Sequence, residues 1–159
     1  IEWLGNRNNT HPFHLICNQP ETKLHSQLDH GNYSKSRKIN GREPVLINKY
    51  DAIKKNINDN DLVIVFNGRG ACIAGALITD KVMQGVLIMS TGSWYDPIKN
   101  IEGEIICNNG NPNILTIDKG TSKLAQGPIA HSCLVNIEKC TEKLPKVTAY
   151  DKPKIINYN

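Results

Sequence analysis

The apolar residues of this chain come in short blocks, and the stretches between them are polar and mostly without helical rhythm. Phe13–Cys17 (FHLIC), Pro44–Ile47 (PVLI), Leu62–Phe66 (LVIVF), Ala71–Thr79 (ACIAGALIT), Val86–Met89 (VLIM) and Ile129–Glu138 (IAHSCLVNIE) have the length and β-branched content of strands. One stretch reads as a helix. Asn48 is a suitable N-cap, and Tyr50, Ile53 and Ile57 follow at three- and four-residue spacing on one face. A doubly wound sheet needs strands and helices to alternate, and these do not. The expectation is a mainly β fold: a barrel of six or seven short strands with a short helix and long polar loops.

Local signals add detail. Asn67-Gly68-Arg69-Gly70 lies between two strand-like runs and reads as a hairpin turn. Arg69 could bind a phosphate there, although a plain hairpin tip is the simpler reading. Ala74, Gly75 and Ala76 are small, so something should approach that strand closely. Gly85 turns the chain into Val86. Ser90–Pro97 is a loop carrying Trp94 and Tyr95, suited either to packing over a barrel end or to walling a ligand. Isoleucines 98, 101, 105 and 106 give a weakly amphipathic segment. Trp3 and Leu4 are expected to anchor an irregular N-terminal stretch. Three segments are expected: a linker over 1–12, the barrel over 13–140, and a tail over 141–159 that is extended on the surface or frayed.

Two polar stretches stand out against this scaffold. Residues 18–41 are non-periodic, and 108–131 are thick with Gly, Pro, Asn and Ser/Thr. Compact domains seldom carry such loops without using them. Their amides, hydroxyls and Lys recognise polar heterocycles or phosphates but do not by themselves make or break bonds. If both loops sit at one end of a barrel, they form a surface rich in donors and acceptors.

Composition narrows the classes of function. The chain has 159 residues, 39% of them hydrophobic, so one domain with a lean core is expected. A net charge of +4 with 6% aromatic residues and scattered Lys/Arg gives no nucleic-acid signature. The nearest basic run, Lys35 to Arg42, reads as a solvated loop. Five Cys, at 17, 72, 107, 133 and 140, contain no C-x-x-C pair, and Cys17, Cys72 and Cys133 read as buried thiols. His11 and His14 lack a matching pair at zinc spacing, so no metal site is expected from this chain alone. No apolar run approaches a membrane span. The absence of an initiating Met and of a signal peptide suggests a piece of a longer protein.

Catalytic constellations fare no better. His131 and Ser132 are strand neighbours and point to opposite faces, so they cannot pair as base and nucleophile. Asp29, Asp96 and Asp118 are carboxylates that no spacing connects. The glycine-rich nucleotide loops G-x-x-x-x-G-K-[ST] and G-x-G-x-x-G are absent. No catalytic residue is assigned.

Four blocks in order, CNQPETKLHSQLDHG, NGREPVLIN, STGSWYDP and GNPNILTIDKGTSKLAQGP, give the chain a resemblance to a known family. Over residues 10–138 it resembles the C-terminal domain of bacterial molybdopterin oxidoreductases. The group is that of dimethyl sulfoxide, trimethylamine-N-oxide and biotin sulfoxide reductases. The resemblance implies a double-psi β-barrel that closes over two molybdopterin guanine dinucleotides carrying one molybdenum. In this group the metal ligand is a Ser of an earlier domain, so the isolated chain is not expected to turn over. The first cofactor loop would be Cys17, Asn18, Gln19, Pro20, Lys23, His25, Ser26 and Gln27; the second would be Asn113, Gln126, Gly127 and Pro128. The family more often has Arg where Lys23 stands, and Lys keeps the charge without the bidentate fork. Trp94 and Tyr95 would line a substrate funnel. The implied partners are the preceding domains of the same polypeptide and a small S-oxide or N-oxide, with no nucleic acid and no membrane span. The periplasm is favoured over the cytoplasm. The alternatives are a free-standing ligand- or protein-binding barrel without redox activity and, on charge alone, a nucleic-acid-binding barrel.

Overall fold

The computed structural model describes residues 7–153, 155 and 156. The expected anchor at Trp3 and Leu4 lies outside the described residues. Eight strands form one sheet: β1 (Phe13–Ile16), β2 (Pro44–Asn48), β3 (Leu62–Asn67), β4 (Gly70–Thr79), β5 (Val86–Met89), β6 (Pro97–Lys99), β7 (Ile105–Cys107) and β8 (Cys133–Lys139). The order β2-β5-β1-β8-β3-β4 closes on itself through a β2–β4 pairing, and β7 and β6 extend from β4. This is a closed six-stranded barrel, as a double-psi β-barrel requires. Its parallel pairs are β1–β5 and β2–β4.

Closure fills the interior with one side-chain set from each strand. Leu15, Val45, Ile47, Val63, Val65, Leu87, Met89, Val135 and Ile137 are fully buried there. Each such side chain contributes about 1.5–3 kcal/mol by leaving water. β4 breaks the simple alternation because both its faces are covered. Cys72, Ala74 and Ala76 enter the main core, while Ala71 and Ile73 join Ile106 in a second cluster outside the barrel. Gly75 explains the small residues there: a Cβ on it would come within 2.3 Å of the Ile39 Cβ.

The helices are short: α1 (Arg7–Thr10), α2 (Asn32–Ser36) and α3 (Lys49–Lys54). The Asn48 side chain accepts from the Tyr50 N–H at 2.9 Å, as an N-cap should. The buried face of α3 differs from the expected one. Asp51 and Ala52 are buried, whereas Tyr50 and Ile53 are exposed. The helix ends before Ile57 can align with them, and the Asp51 carboxylate is drawn inward to accept from the Gly85 N–H at 2.7 Å. The isoleucine-rich segment is a β6–β7 hairpin, with Ile98 opposite Ile106. α2 lies inside the first polar stretch, where no apolar rhythm announced it.

Candidate functional site

Strand direction gathers the polar loops at one rim. β1 and β5 run in parallel, so their C-terminal ends open on the same side. β8 is antiparallel to β1 and β3, so β8 begins and β3 ends at that side. The first loop therefore leaves β1 at Cys17 where the second loop enters β8 at Cys133. The two thiols are close enough to act on each other. Burial, and then the neighbouring Cys133, push the Cys17 thiol up to about 12, so it stays protonated and inert.

The first loop is folded tightly. Leu24 and Gln27 close a turn through a 2.8 Å backbone bond, and His25 and Leu28 hold left-handed backbone. The 90–97 loop locks it from the side. Asn18 accepts through its carbonyl from Thr91 N–H at 3.0 Å and through its side chain from the Ser90 hydroxyl at 3.1 Å. The Trp94 indole N–H donates to the Ser26 carbonyl at 2.8 Å. Gly92, at φ +90°, lies so close that a Cβ would stand 1.8 Å from the His25 carbonyl oxygen. The side chains of Asn18, Gln19, His25, Ser26 and Gln27 remain exposed.

Beneath this loop is a buried set of two cations and two anions. Lys23 Nζ lies 3.0 Å from Asp29 and 2.8 Å from Glu43, and Lys38 Nζ lies 3.2 Å and 2.8 Å from the same two carboxylates. The Ser93 hydroxyl donates to Glu43 at 2.6 Å. Asp29 also accepts from the Trp94 N–H at 2.9 Å and the Tyr150 hydroxyl at 2.7 Å. Burial alone would push the Asp29 carboxyl up. Lys38, the Trp94 N–H, Tyr150 and Lys23 outweigh it and hold it at about 2. Burial and the bond to Asp29 push the Tyr150 phenol up, so it remains a donor.

Tyr150 comes from the C-terminal segment, whose residues 145–150 are tied down. Arg42 donates to the Pro145 carbonyl at 2.6 Å, and Thr148 donates to Asp96 through its N–H at 2.9 Å and its hydroxyl at 2.6 Å. Asn109 then donates to the Tyr150 oxygen at 3.0 Å. Residues 145–150 thus strap the first loop to the start of the second.

The second loop changes character along its length. Asn108, Asn109 and Gly110 are buried, and Asn111 caps a short 3₁₀ turn at Pro112–Ile114. Leu115 is fully buried; its carbonyl accepts from Asn67 Nδ2 at 2.9 Å and Arg69 Nε at 2.7 Å. Beyond it, residues 120–128 form an excursion closed by Gly120 pairing with Pro128 and by Thr121 N–H to Gly127 C=O at 2.7 Å. Gln126 has φ 48° and packs against Gly120, where a Cβ would lie 2.4 Å from its Oε1. Asn113, Gln126 and Pro128 are exposed.

The structure therefore brings the expected residues to one rim with two exceptions of orientation. The Lys23 ammonium has no exposed surface and faces Asp29 and Glu43, and Cys17 is buried in the core. Sequence reasoning missed Asp29 as a structural anchor, and it missed Lys38, Glu43, Asn109 and Tyr150 altogether. The only available signal was the presence of Asp29 and Glu43 within the two resembling blocks. Trp94 is held by hydrogen bonds at the rim, with its ring 5.7 Å from that of Tyr150.

A rigid closed barrel with amide-rich loops at one rim is the architecture of a ligand-holding domain: the barrel supplies rigidity and the loops recognition. The sequence profile of the Molydopterin dinucleotide binding domain matches residues 13–134, and the chain belongs to that family. Trimethylamine-N-oxide reductase 1 of Escherichia coli O157:H7 is 44% identical over 150 residues, covering 94% of this chain and 18% of that protein. The trimethylamine-N-oxide reductase of Vibrio parahaemolyticus is 45% identical over 150 residues, with the same two coverages. That of Haemophilus influenzae is 41% identical over 154 residues, covering 96% and 19%. The chain thus spans under a fifth of the length of these curated relatives. Acetylene hydratase from Pelobacter acetylenicus superposes with a TM-score of 0.65 at 12% identity, covering 84% of this chain and 19% of that one, a likeness of fold.

Proposed function

We propose that the chain is the dinucleotide-holding domain of a molybdenum S- or N-oxide reductase, with trimethylamine N-oxide as the favoured substrate. The observation that supports it most is the convergence of both amide-bearing loops on one rim, in a family whose ligand is a molybdopterin dinucleotide. The donor set suits that ligand. Asn18, Gln19, Gln27, Asn113 and Gln126 each present an N–H₂ and a C=O to match the mixed edge of a pterin or guanine. His25 and Ser26 add an imidazole and a hydroxyl. A Cβ at Gly127 would meet nothing nearer than 3.5 Å, so bare backbone is open to close approach there.

In this reading Lys23 and Cys17 are supports rather than contacts: Lys23 holds the loop through Asp29 and Glu43, and Cys17 packs the loop's root. The bound molybdenum cofactor would supply the two-electron chemistry that removes oxygen from the oxide. The residues here bind and orient it and exclude water from its pterin edges. Trp94 and Tyr95 stand at the same rim and suit a substrate approach. The remaining partner is the rest of the parent polypeptide, which would provide the metal ligand. Nucleic acid has no place in this reading: two of the first loop's cations, Lys23 and Lys38, are spent on buried carboxylates. Among the described residues no helix is long and apolar enough to cross a membrane. The periplasm is the compartment assigned to the parent, by resemblance.

The test is molybdenum and guanine nucleotide per polypeptide in the full-length parent carrying Gln19→Ala with Gln126→Gly, beside a melting curve. The expected result is a loss of most bound cofactor at a nearly unchanged melting temperature of the cofactor-free protein. Full cofactor content in the variant would overturn the assignment of these loops.

A further inference from the structure

A cavity of about 510 Å³ opens between the β3–β4 hairpin tip and residues 117–134. His11, Asn67, Arg69, Lys119, Thr121 and Ser132 are among its lining residues, and among the described residues no Asp or Glu lines it. The chain as a whole nearly balances its charges, with 19 basic and 15 acidic residues. The larger groove on the outer face of β3, β4 and β7, about 760 Å³, is net acidic: Glu102, Glu104, Glu138 and Glu142 line it against Lys139 and the other side of Arg69. The rim cavity is therefore selectively cationic.

Its cations are also available. Arg69 is fixed by its Nε–H donating to the Leu115 carbonyl at 2.7 Å, and its Nη2 lies 3.7 Å from the Cys133 sulfur. Among the described residues no carboxylate pairs with it. Lys119 has no hydrogen-bond or ion-pair partner among the described residues, although four other lysines, Lys23, Lys38, Lys139 and Lys146, make ion pairs at 3.2 Å or closer. Thr121 and Ser132 contribute hydroxyls beside Asn67. A guanidinium held by one edge, an uncommitted ammonium and two hydroxyls form the donor set of a doubly charged oxyanion.

We propose that this cavity binds a phosphate-class anion, with Arg69 and Lys119 as its counter-charges. The proposal rests on the reading above in one respect: the dinucleotide's own pyrophosphate is one source of the anion, and a free phosphate is the other. The excursion carrying Gln126 and Gly127 begins at Gly120, so the cavity lies next to the proposed cofactor loop.

The test uses the full-length parent, purified with and without cofactor, in wild-type form and as Lys119→Gln and Arg69→Lys. Inorganic pyrophosphate and inorganic phosphate are titrated into the cofactor-free protein by calorimetry. Pyrophosphate is expected to bind the wild type and to bind Lys119→Gln roughly tenfold more weakly, the loss of one charge-assisted contact. Arg69→Lys keeps the charge but loses the fork and should fall between. Equal pyrophosphate affinity in wild type and Lys119→Gln, or none in either, overturns the proposal. The rate of cofactor loss from the loaded enzyme then separates the sources. Faster loss in Lys119→Gln assigns the site to the dinucleotide, and unchanged loss with weakened pyrophosphate binding assigns it to a free anion. Cofactor loss confined to the Gln19→Ala, Gln126→Gly protein, with pyrophosphate binding unaffected by Lys119→Gln, leaves the cofactor reading standing and removes this one.

Discussion

The two rim loops carry similar side chains but are held in opposite ways. The first rests on a buried charge network, Lys23, Lys38, Asp29 and Glu43, beneath it, and has Trp94, Gly92 and Tyr150 against its flank. The outer part of the second, residues 120–128, is held mainly by its own turn, through Gly120–Pro128, Thr121–Gly127 and Ser122 bonds. One loop is preorganised by tertiary structure; the other is shaped locally and left exposed, with Leu124 almost fully in solvent. A site built this way has a fixed floor and an adaptable wall, so a ligand's ordering cost falls on the second loop.

The sharpest way to break the contrast is to remove one buried charge. Asp29→Asn leaves Lys23 and Lys38 sharing Glu43 and deprives Tyr150 and the Trp94 N–H of a charged acceptor. Stability should fall by about 3–5 kcal/mol, read as an early melting step of the cofactor-free parent. A steric break comes next. Gly92→Ala forces a Cβ onto the His25 carbonyl at positive φ and should cost about 3 kcal/mol. Gly127→Ala, the matching change in the second loop, should cost under about 1 kcal/mol of fold stability and yet loosen the cofactor.

Acid probes the same network without mutation. The folded Asp29 carboxyl titrates at about 2, below its ordinary 3.8. Its contribution is therefore whole above about pH 4 and is lost as pH falls towards 2, a matter of about 2 kcal/mol. Melting temperature against pH should show this drop in the wild type and a shallower one in Asp29→Asn. Tyr150→Phe trims the same network by a single hydrogen bond. It removes one donor to Asp29 and should cost about 1.5 kcal/mol, with the loss seen as faster proteolysis of the 145–150 strap.

The barrel was legible in sequence because its strands are contiguous apolar blocks, and the Gly68-Arg69 turn and the Asn48 cap are encoded within a few residues. The loops were legible as recognition surfaces by their amides and glycines. What holds the first of them was not. Lys23 meets Glu43 from 20 residues away, and Tyr150 meets Asp29 from 121 away. No local spacing records such pairs, so Lys23 read as a ligand contact and the 145–150 segment as part of a tail extended on the surface or frayed. The face of α3 was misread for a related reason: a six-residue helix follows its tertiary partner, Gly85, rather than its own periodicity.

The most direct test of the account is amide hydrogen exchange on the full-length parent with and without its cofactor. Both rim loops should be slowed by the cofactor. Residues 120–128 should be slowed more than 24–28, because only the first loop is already ordered by the barrel. Exchange in both loops that is indifferent to the cofactor would contradict the claim that this rim holds it.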